Sequence, residues 1–256
     1  MARTPQRVSP MPATPPVALV TGSARRIGAA IARRLHAEGY DLALHYRGAA
    51  AEMQALAIEL ESTRPGSVLT LQADLSEFDR LPELVAQTVG RFGRMDALVN
   101  NASSFQPTPV GTTTPQQWDA LFASNARAPF FLAQAAAPYL KATRGAIVNL
   151  VDIYAERPLA GHTVYCMAKA ALLMATKSLA LELAPDVRVN AVAPGAILWA
   201  ENETSEAKQQ AMLARTPLAR TGTAEEIAEA VRWLLRDATY VTGQVIRVDG
   251  GRMLAG

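Results

Sequence analysis

Short apolar runs recur at regular intervals along the chain, and polar residues, glycine or proline bound each of them. They are VALVT (17–21), DLALHY (41–46), SVLTLQ (67–72), DALVN (96–100), AIVNLV (146–151), VRVNAVA (187–193) and QVIRVD (244–249). Short runs that are apolar nearly throughout are typical of strands buried on both faces of a sheet. The pattern therefore predicts seven strands in the core of the protein.

Segments of helix length separate several of these runs. Examples with a helical apolar period are RIGAAIARRLHAEG (26–39), AAAEMQALAIELESTR (49–64) and SEFDRLPELVAQTVGRFG (76–93). Strands that alternate with helices form right-handed crossovers and a parallel sheet covered on both faces. We therefore predict the α/β class, with a single doubly wound Rossmann-type domain over residues 17–256 and a seven-stranded parallel sheet.

Two regions depart from this rhythm. Residues 1–16 contain five prolines, two arginines and no apolar run, so they predict a disordered tail rather than a signal peptide. The segment LWAENETSEAKQQAMLARTP (198–217) is polar and follows the sixth strand. We interpret residues 198–217 as a candidate lid over the substrate.

Composition narrows the class of protein. Half of the 256 residues are apolar or aromatic and the net charge is +2, so we expect a large core and no nucleic-acid partner. The single Cys166 excludes an internal disulfide, and the three histidines lack metal-ligand spacing, so no metal site is expected. No run approaches eighteen consecutive apolar residues, which predicts a cytoplasmic protein without a membrane span.

The first strand leads into VTGSARRIGAAIARRL, where Gly22 and Gly28 flank a tight turn that opens a helix. Backbone N–H groups and the positive end of the helix dipole bind a pyrophosphate in such a turn, which glycine allows to approach closely. In a doubly wound fold, ligands bind where the strands end. We therefore expect the loops after residues 21, 46, 74, 100, 151 and 193 to converge on a nucleotide site.

The second strand ends in HYRG, where a carboxylate would bind the adenosine ribose of NAD. Instead, His45 and Arg47, together with Arg25 and Arg26, offer cationic or hydrogen-bonding partners for a 2′-phosphate. This arrangement predicts NADPH as the cofactor. The alternative is that Arg25 and Arg47 are ordinary solvated surface charges.

Tyr165 and Lys169 stand four residues apart, which places a phenol and an ammonium on one face of a helix. A positive charge within about 4–6 Å is expected to bring the pKa of Tyr165 toward the working range. Asp152 stands thirteen residues before Tyr165 at the end of a strand, where its carboxylate can reach the tyrosine hydroxyl. The alternative is a surface pair with an aspartate that caps a turn.

Six motifs in order resemble the short-chain dehydrogenase/reductase family over nearly the whole chain after residue 16. They are TGSARRIG, NNAS (100–103), Asn125 in FASNARAP, YCMAK (165–169), PG (194–195) and VTGQVIRVDGG. The resemblance implies hydride transfer from a nicotinamide, with Tyr165 as proton donor. It also implies that Lys169 binds the nicotinamide ribose and lowers the pKa of Tyr165, while Asn125 helps to hold a water chain to Lys169.

The resemblance further implies a set of cofactor contacts: Gly22, Arg25, Arg26, Ile27, Gly28, His45, Tyr46, Arg47, Asp74, Leu75, Asn101, Ala102, Ser103, Tyr165, Lys169, Pro194 and Gly195. Asp74 can instead, or in addition, cap a helix start with Ser76. A homotetramer is also implied, and the apolar excess of the helix at 163–184 indicates burial against another subunit. A dimer remains open.

Two residues depart from the general family pattern and match its pteridine reductase subfamily: Arg26 replaces a glycine and Asp152 replaces a serine. LHAEGY (35–40), QADLS (72–76) and NNASSFQPTP (100–109) also match that subfamily. The match implies NADPH-dependent reduction of dihydrobiopterin, dihydromonapterin or dihydrofolate. The implied substrate contacts are Arg26, Ser103, Phe105, Asp152 and Tyr165, with the Phe105 ring stacked on the pterin.

The chemistry of C=N reduction explains why an aspartate stands at position 152. A carboxylate opposes the alkoxide that forms when a carbonyl is reduced, whereas a C=N bond needs a proton on nitrogen, which an Asp152–Tyr165 pair can relay. One alternative is a general carbonyl or 3-oxoacyl thioester reductase, and another is a silent NADPH-binding regulator. Phe105 can also be a core aromatic, Ser103 a turn cap, and Trp199 either a substrate contact or a lid anchor.

Overall fold

The computed structural model describes residues 14–197 and 206–255. Its sheet has the strand order β3-β2-β1-β4-β5-β6-β7, and every neighbouring pair is parallel. The strands are β1 (Val17–Val20), β2 (Asp41–Tyr46), β3 (Val68–Gln72), β4 (Ala97–Asn100), β5 (Ala146–Leu150), β6 (Arg188–Pro194) and β7 (Val245–Val248). The predicted fold class and the seven-stranded parallel sheet are confirmed.

The helices cover both faces of this sheet. They are α1 (Arg26–Ala37), α2 (Ala50–Thr63), α3 (Arg80–Phe92), α4 (Pro115–Phe122), α5 (Ala128–Thr143), α6 (Thr163–Leu183), α7 (Glu206–Ala214) and α8 (Ala224–Arg236). Apolar residues of α1, α2 and α8 form one core layer, and those of α3, α5 and α6 form the other. In β1, Ala18 and Val20 belong to the first layer and Leu19 to the second, which is why that strand is apolar throughout.

Several element bounds differ from the sequence expectation. The helix predicted from residue 76 begins at Arg80, because the Asp74 carboxylate accepts the Ser76 N–H at 2.9 Å and forms a separate turn. Within the predicted lid, Glu206–Ala214 is helical, so the rhythm of strands and helices continues there. Residues 198–205, including Trp199, and residues 1–13 of the predicted tail lie outside the described residues.

Helix α6 has the length and hydropathy that would suit a membrane span, and it is the only such helix in the described ranges. Half of its most apolar window is buried inside the protein. Leu179, Ala180 and Leu183 pack in the core layer beneath the sheet, and Lys169 is buried. The apolar length of α6 is therefore that of a core helix.

Candidate active site

Two adjoining cavities lie where the parallel strands end. The larger has a volume of about 690 Å³ and is lined by residues that follow β1 to β4, among them Gly22, Arg25, Arg26, Ile27, Gly28, His45, Tyr46, Arg47, Asp74, Leu75, Asn101, Ala102, Ser103 and Phe105. The smaller, of about 220 Å³, is lined by Leu150, Asp152, Tyr165, Lys169, Pro194, Gly195 and others. Arg26, Ile27, Asn101 and Ser103 line both. The loops therefore converge at the predicted edge of the sheet.

The turn after β1 requires glycine at two positions. Gly22 has φ +63°, and a Cβ on it would lie 2.8 Å from the Ala102 Cα. A Cβ on Gly28 would lie 2.2 Å from the Gly22 carbonyl oxygen, closer than any real contact. Any side chain here would therefore distort the turn that opens α1.

Asn101 and Thr21 lock this turn to the end of β4. The Asn101 Nδ2 donates to the carbonyl oxygens of Thr21 and Gly22 at 2.9 and 3.0 Å. The Thr21 Oγ1 accepts the backbone N–H groups of Asn101 and Ala102, both at 3.0 Å. Sequence reasoning missed Thr21 and this bracing role of Asn101, because the two residues are 80 positions apart in the chain and no local pattern links them.

Arg26 has φ +54°, in the left-handed region that L-residues avoid. A non-glycine residue in such a conformation costs about 1–3 kcal/mol. This explains physically why glycine is the usual family residue here. Because Arg26 lines both cavities, its side chain has a place at their junction that a glycine would leave empty.

His45 lines the larger cavity, but both of its ring nitrogens are used within the protein. The Gly22 N–H donates to Nδ1 at 3.2 Å, and Nε2 lies 3.1 Å from the Ala73 carbonyl oxygen, so Nε2 carries the proton. Burial lowers the pKa of His45, which favours the neutral ring. The expectation that His45 offers a charge or a donor to a phosphate is wrong, because the ring instead fixes the glycine turn.

Arg25 and Arg47 are exposed at the rim of the larger cavity. Arg25 Nη1 lies 3.6 Å from Glu52 Oε1, a pair that solvent screens strongly. The Ser76 backbone N–H and, more weakly, the charge of Arg47 lower the pKa of Asp74. Asp74 therefore keeps its turn-capping role while it lines the cavity close to Arg47.

Asp152 and Tyr165 meet at the end of β5. The Tyr165 hydroxyl donates to Asp152 Oδ2 at 2.7 Å, and Asp152 Oδ1 accepts the Tyr154 N–H at 2.9 Å. Asp152 thus caps the short 3-10 turn Ile153–Ala155 with one oxygen and holds the phenol with the other. Both the predicted contact with the tyrosine and the turn-capping alternative occur in the structure.

Lys169 lies one turn of α6 beyond Tyr165 and is only 2% exposed. Its Nζ donates to the Leu150 carbonyl oxygen at 2.8 Å and lies 5.9 Å from the centre of the Tyr165 ring. Burial lowers the pKa of Lys169 to about 8. The ammonium is therefore held in the cavity wall at the carboxyl end of β5, with a proton that is easier to lose than usual.

The electrostatics of Tyr165 differ from the sequence expectation. Burial and the neighbouring Asp152 carboxylate raise the pKa of Tyr165 well above its usual value, and only the Ser103 hydroxyl works against them. Burial also raises the pKa of Asp152. The expectation that Lys169 brings the pKa of Tyr165 down is wrong, because the Asp152 carboxylate is hydrogen-bonded to the Tyr165 hydroxyl at 2.7 Å while the Lys169 ammonium lies 5.9 Å from the ring centre.

Asn125 lies in a π-helical segment, Ala123–Arg127, between α4 and α5. Its Oδ1 accepts the Ser103 hydroxyl at 2.6 Å, and its Nδ2 donates to the Ser104 and Leu121 carbonyl oxygens at 2.9 and 3.0 Å. The side chain is fully buried and braces the loop that carries Ser103. Its hydrogen bonds thus join that loop to the last turn of α4.

Phe105 lines the larger cavity and is 56% exposed, so it is not a core aromatic. Its ring stacks on His162 with centres 4.5 Å apart and meets the Tyr165 ring edge-on at 4.8 Å. Sequence reasoning did not include His162 in the site. The ring contact depends on two loops that are far apart in sequence, and no local pattern signals it.

Pro194 and Gly195 close the smaller cavity at the end of β6. A Cβ on Gly195 would lie 2.6 Å from the Asp249 Cα, so glycine allows close approach of the loop after β7. Among the residues that the structure describes, no group of three or more His, Cys, Asp or Glu side chains is arranged to hold a metal ion.

Comparisons with known proteins agree with this fold. The family model described as enoyl-(acyl carrier protein) reductase matches residues 22–252. Pteridine reductase 1 of Leishmania tarentolae is 42% identical over 94% of this chain and 97% of that protein. The 3-oxoacyl-[acyl-carrier-protein] reductase FabG of Staphylococcus aureus is 37% identical over 91% of this chain and 96% of that protein.

These relatives are reductases, and the chain is likewise an oxidoreductase that uses a nicotinamide cofactor. With a matching family model over most of its length, the protein belongs to the short-chain dehydrogenase/reductase family.

Proposed function

We propose that the protein is an NADPH-dependent pteridine reductase. It transfers a hydride to a C=N bond of dihydrobiopterin, dihydromonapterin or dihydrofolate and forms the tetrahydro product. The observation that carries this proposal is the 2.7 Å hydrogen bond between Tyr165 and Asp152, because it places an ionisable carboxyl beside the proton donor.

The larger cavity suits a dinucleotide. Gly22 and Gly28 keep the turn that opens α1 tight, and a tight glycine turn at a helix start is a binding site for a pyrophosphate. The exposed Arg47, Arg25 and Arg26 supply charge at the rim for the 2′-phosphate that distinguishes NADPH from NADH. Asp74, Leu75, Asn101 and Ala102 would line the adenine side, and Lys169, Pro194 and Gly195 the nicotinamide side.

Bound NADPH would supply the hydride, and the residues around Tyr165 supply the proton. Because its pKa is raised, Tyr165 keeps its proton at neutral pH until the substrate nitrogen, made strongly basic by hydride addition to the neighbouring carbon, takes it. Asp152 is hydrogen-bonded to that hydroxyl and can pass a replacement proton to it. Hydride on carbon and proton on nitrogen complete the reduction of the C=N bond.

The same pair disfavours carbonyl reduction. An alkoxide that develops at the Tyr165 hydroxyl would lie beside the Asp152 carboxylate, and the two negative charges would repel. The alternative function, a general carbonyl or 3-oxoacyl thioester reductase, is supported by the 37% identity to the Staphylococcus aureus enzyme. We favour the pterin because that alternative gives the buried carboxylate no role.

A flat substrate also matches the walls of the cavities. Phe105 offers an exposed ring beside Tyr165, and Ser103 and Arg26 offer polar groups at the shared wall of the two cavities. A pterin ring stacked on Phe105 would present its polar edge to Ser103 and Arg26. The segment at 198–217 would then act as a lid over this substrate.

We further propose that the enzyme is a cytoplasmic homotetramer. Met167, Met174 and Leu181 are spaced by seven residues along α6 and are 42%, 58% and 82% exposed. Such spacing places them on one face of the helix, and Phe130 and Tyr139 of α5 are also exposed. Burial of these apolar side chains between subunits would remove them from water. Light scattering of wild type and of Met174→Glu measures the number of subunits in the particle. A monomeric wild type would contradict the proposed homotetramer.

A ternary structure with NADP⁺ and dihydrobiopterin tests the proposed function. The expected result is a pterin ring stacked on Phe105, with a ring nitrogen within hydrogen-bonding distance of the Tyr165 hydroxyl. A pterin that binds outside these cavities, or fails to bind, contradicts the proposal.

A further inference from the structure

Phe105 lies outside the apolar core, so few neighbours fix its ring. It belongs to a loop after β4, and 56% of its surface is exposed. Its ring stacks in parallel on His162, with 9° between the planes, and meets the Tyr165 ring edge-on, at 88°. His162 and Tyr165 therefore set the orientation of a side chain that faces the cavity.

His162 is itself held in place. Its ring Nδ1 lies 3.0 Å from the Ala160 carbonyl oxygen, so Nδ1 carries a proton and the ring is fixed in plane and tautomer. Its backbone N–H donates to the Leu159 carbonyl oxygen at 3.1 Å. The residue directly precedes α6, the helix that carries Tyr165.

Thr108 ties the loop of Phe105 to this same point. It forms a parallel bridge with His162, and its backbone N–H donates to the Gly161 carbonyl oxygen at 2.7 Å. Its Oγ1 accepts the Val164 N–H at 3.3 Å, and the side chain is 1% exposed. The backbones on either side of the ring stack are therefore fixed relative to each other, and the stack between Phe105 and His162 is built into the site.

We infer that His162 is a positioning and specificity-determining residue, which presets the Phe105 ring so that the site favours flat heteroaromatic substrates over acyclic ones. This inference rests on the proposed function. An aromatic neighbour on Phe105 limits its rotamers before binding, so the substrate does not have to order that ring. An acyclic thioester has no ring to stack and would gain little from this order.

The test compares wild type, His162→Ala and the conservative His162→Phe. With dihydrobiopterin and NADPH, His162→Ala is expected to raise KM about fivefold, within the range for an aromatic pair, and to change kcat less than twofold. His162→Phe keeps a ring on Phe105 and is expected to restore KM. The dissociation constant of NADPH and the thermal unfolding midpoint report whether the fold is intact.

Three outcomes overturn the inference. Wild-type turnover with an unchanged KM in His162→Ala removes the role of His162 and leaves the pteridine reductase proposal standing. An equal rise in KM for His162→Ala and His162→Phe shows that a ring stack is not what matters. A wild type that neither binds nor reduces pterins removes the proposed function, and this inference with it.

Discussion

The Tyr165 hydroxyl donates a 2.7 Å hydrogen bond to Asp152 Oδ2, and burial raises the pKa of both groups. Asp152 cannot swing away easily, because its other oxygen caps the turn at Tyr154. The proposed proton donor and the proposed source of its protons are thus held together at the end of β5. A serine in place of Asp152 would hydrogen-bond to the phenol but would not ionise near neutral pH, so it could not give and regain a proton as a carboxyl group can.

Replacing Asp152 with alanine is expected to lower pterin turnover at least about tenfold, the low end for a lost proton-transfer group. Asp152→Asn keeps a hydrogen-bond acceptor for Tyr165 but cannot relay a proton, so it is expected to fall by a similar factor. NADPH oxidation with dihydrobiopterin measures both. The dissociation constant of NADPH should stay nearly unchanged, and wild-type turnover in either variant would make Asp152 a structural cap only.

Burial of Lys169 predicts a pH-dependent stability. Its pKa falls from 10.5 to about 8 on folding, so between these values the unfolded chain binds a proton that the folded protein does not. Stability therefore rises with pH across this window, and Lys169→Met removes that rise. The thermal unfolding midpoint of Lys169→Met minus that of wild type is expected to become about 5 °C more negative between pH 7.5 and pH 10.

This comparison is made on protein without cofactor, with Lys177→Met as the control, since Lys177 is exposed on the same helix. The control should follow wild type at every pH. If the difference in unfolding midpoint between Lys169→Met and wild type does not change with pH, folding does not lower the pKa of Lys169.

Much of the fold follows from periodicity alone. The apolar runs locate all seven strands, because strands buried on both faces are apolar at most positions, as Leu19 in the centre of β1 illustrates. The contact between Asp152 and Tyr165 was also predictable, since the end of a strand and a residue on the next helix face the same edge of the sheet. The start of α3 was not, because the Asp74 turn competes locally with the helix.

Other parts of the site depend on tertiary contacts that no local pattern carries. His45 resembles a phosphate partner in sequence, yet Gly22 and Ala73 occupy both of its nitrogens once the three loops meet. Burial and the Asp152 carboxylate set the pKa of Tyr165, while the Lys169 ammonium donates its hydrogen bond to the Leu150 carbonyl oxygen. Sequence spacing gives the helix face but neither of these partners.

Substitution of Gly28 tests whether the glycine turn that opens α1 binds the cofactor. Gly28→Ala places a Cβ 2.2 Å from the Gly22 carbonyl oxygen, and such overpacking is expected to destabilise the fold by about 1–3 kcal/mol and to abolish tight NADPH binding. Gly90→Ala is the matched control, because a Cβ on Gly90 in α3 meets nothing within 4 Å. It should stabilise the protein by about 0.5–1 kcal/mol. Unimpaired NADPH binding by Gly28→Ala would contradict the proposal that the cofactor binds at this turn.

Charge reversal at Arg47 tests the choice of cofactor. Arg47→Glu is expected to weaken NADPH binding at least about tenfold, the loss typical of a charge-assisted contact, and to leave NADH binding nearly unchanged. Lys141→Glu provides the control. Lys141 is exposed near the end of α5, which leads into the start of β5. Equal affinity of the wild type for NADH and NADPH would show that Arg47, Arg25 and Arg26 do not select the phosphate.

The ratio of kcat/KM for dihydrobiopterin to kcat/KM for an acetoacetyl thioester, measured with NADPH on the wild-type enzyme, tests the central claim most directly. If the Asp152–Tyr165 pair serves reduction of a pterin C=N bond, the pterin is turned over and the ratio exceeds about 100. The thioester is disfavoured because its alkoxide would develop beside the Asp152 carboxylate. Turnover of the thioester alone would contradict the account.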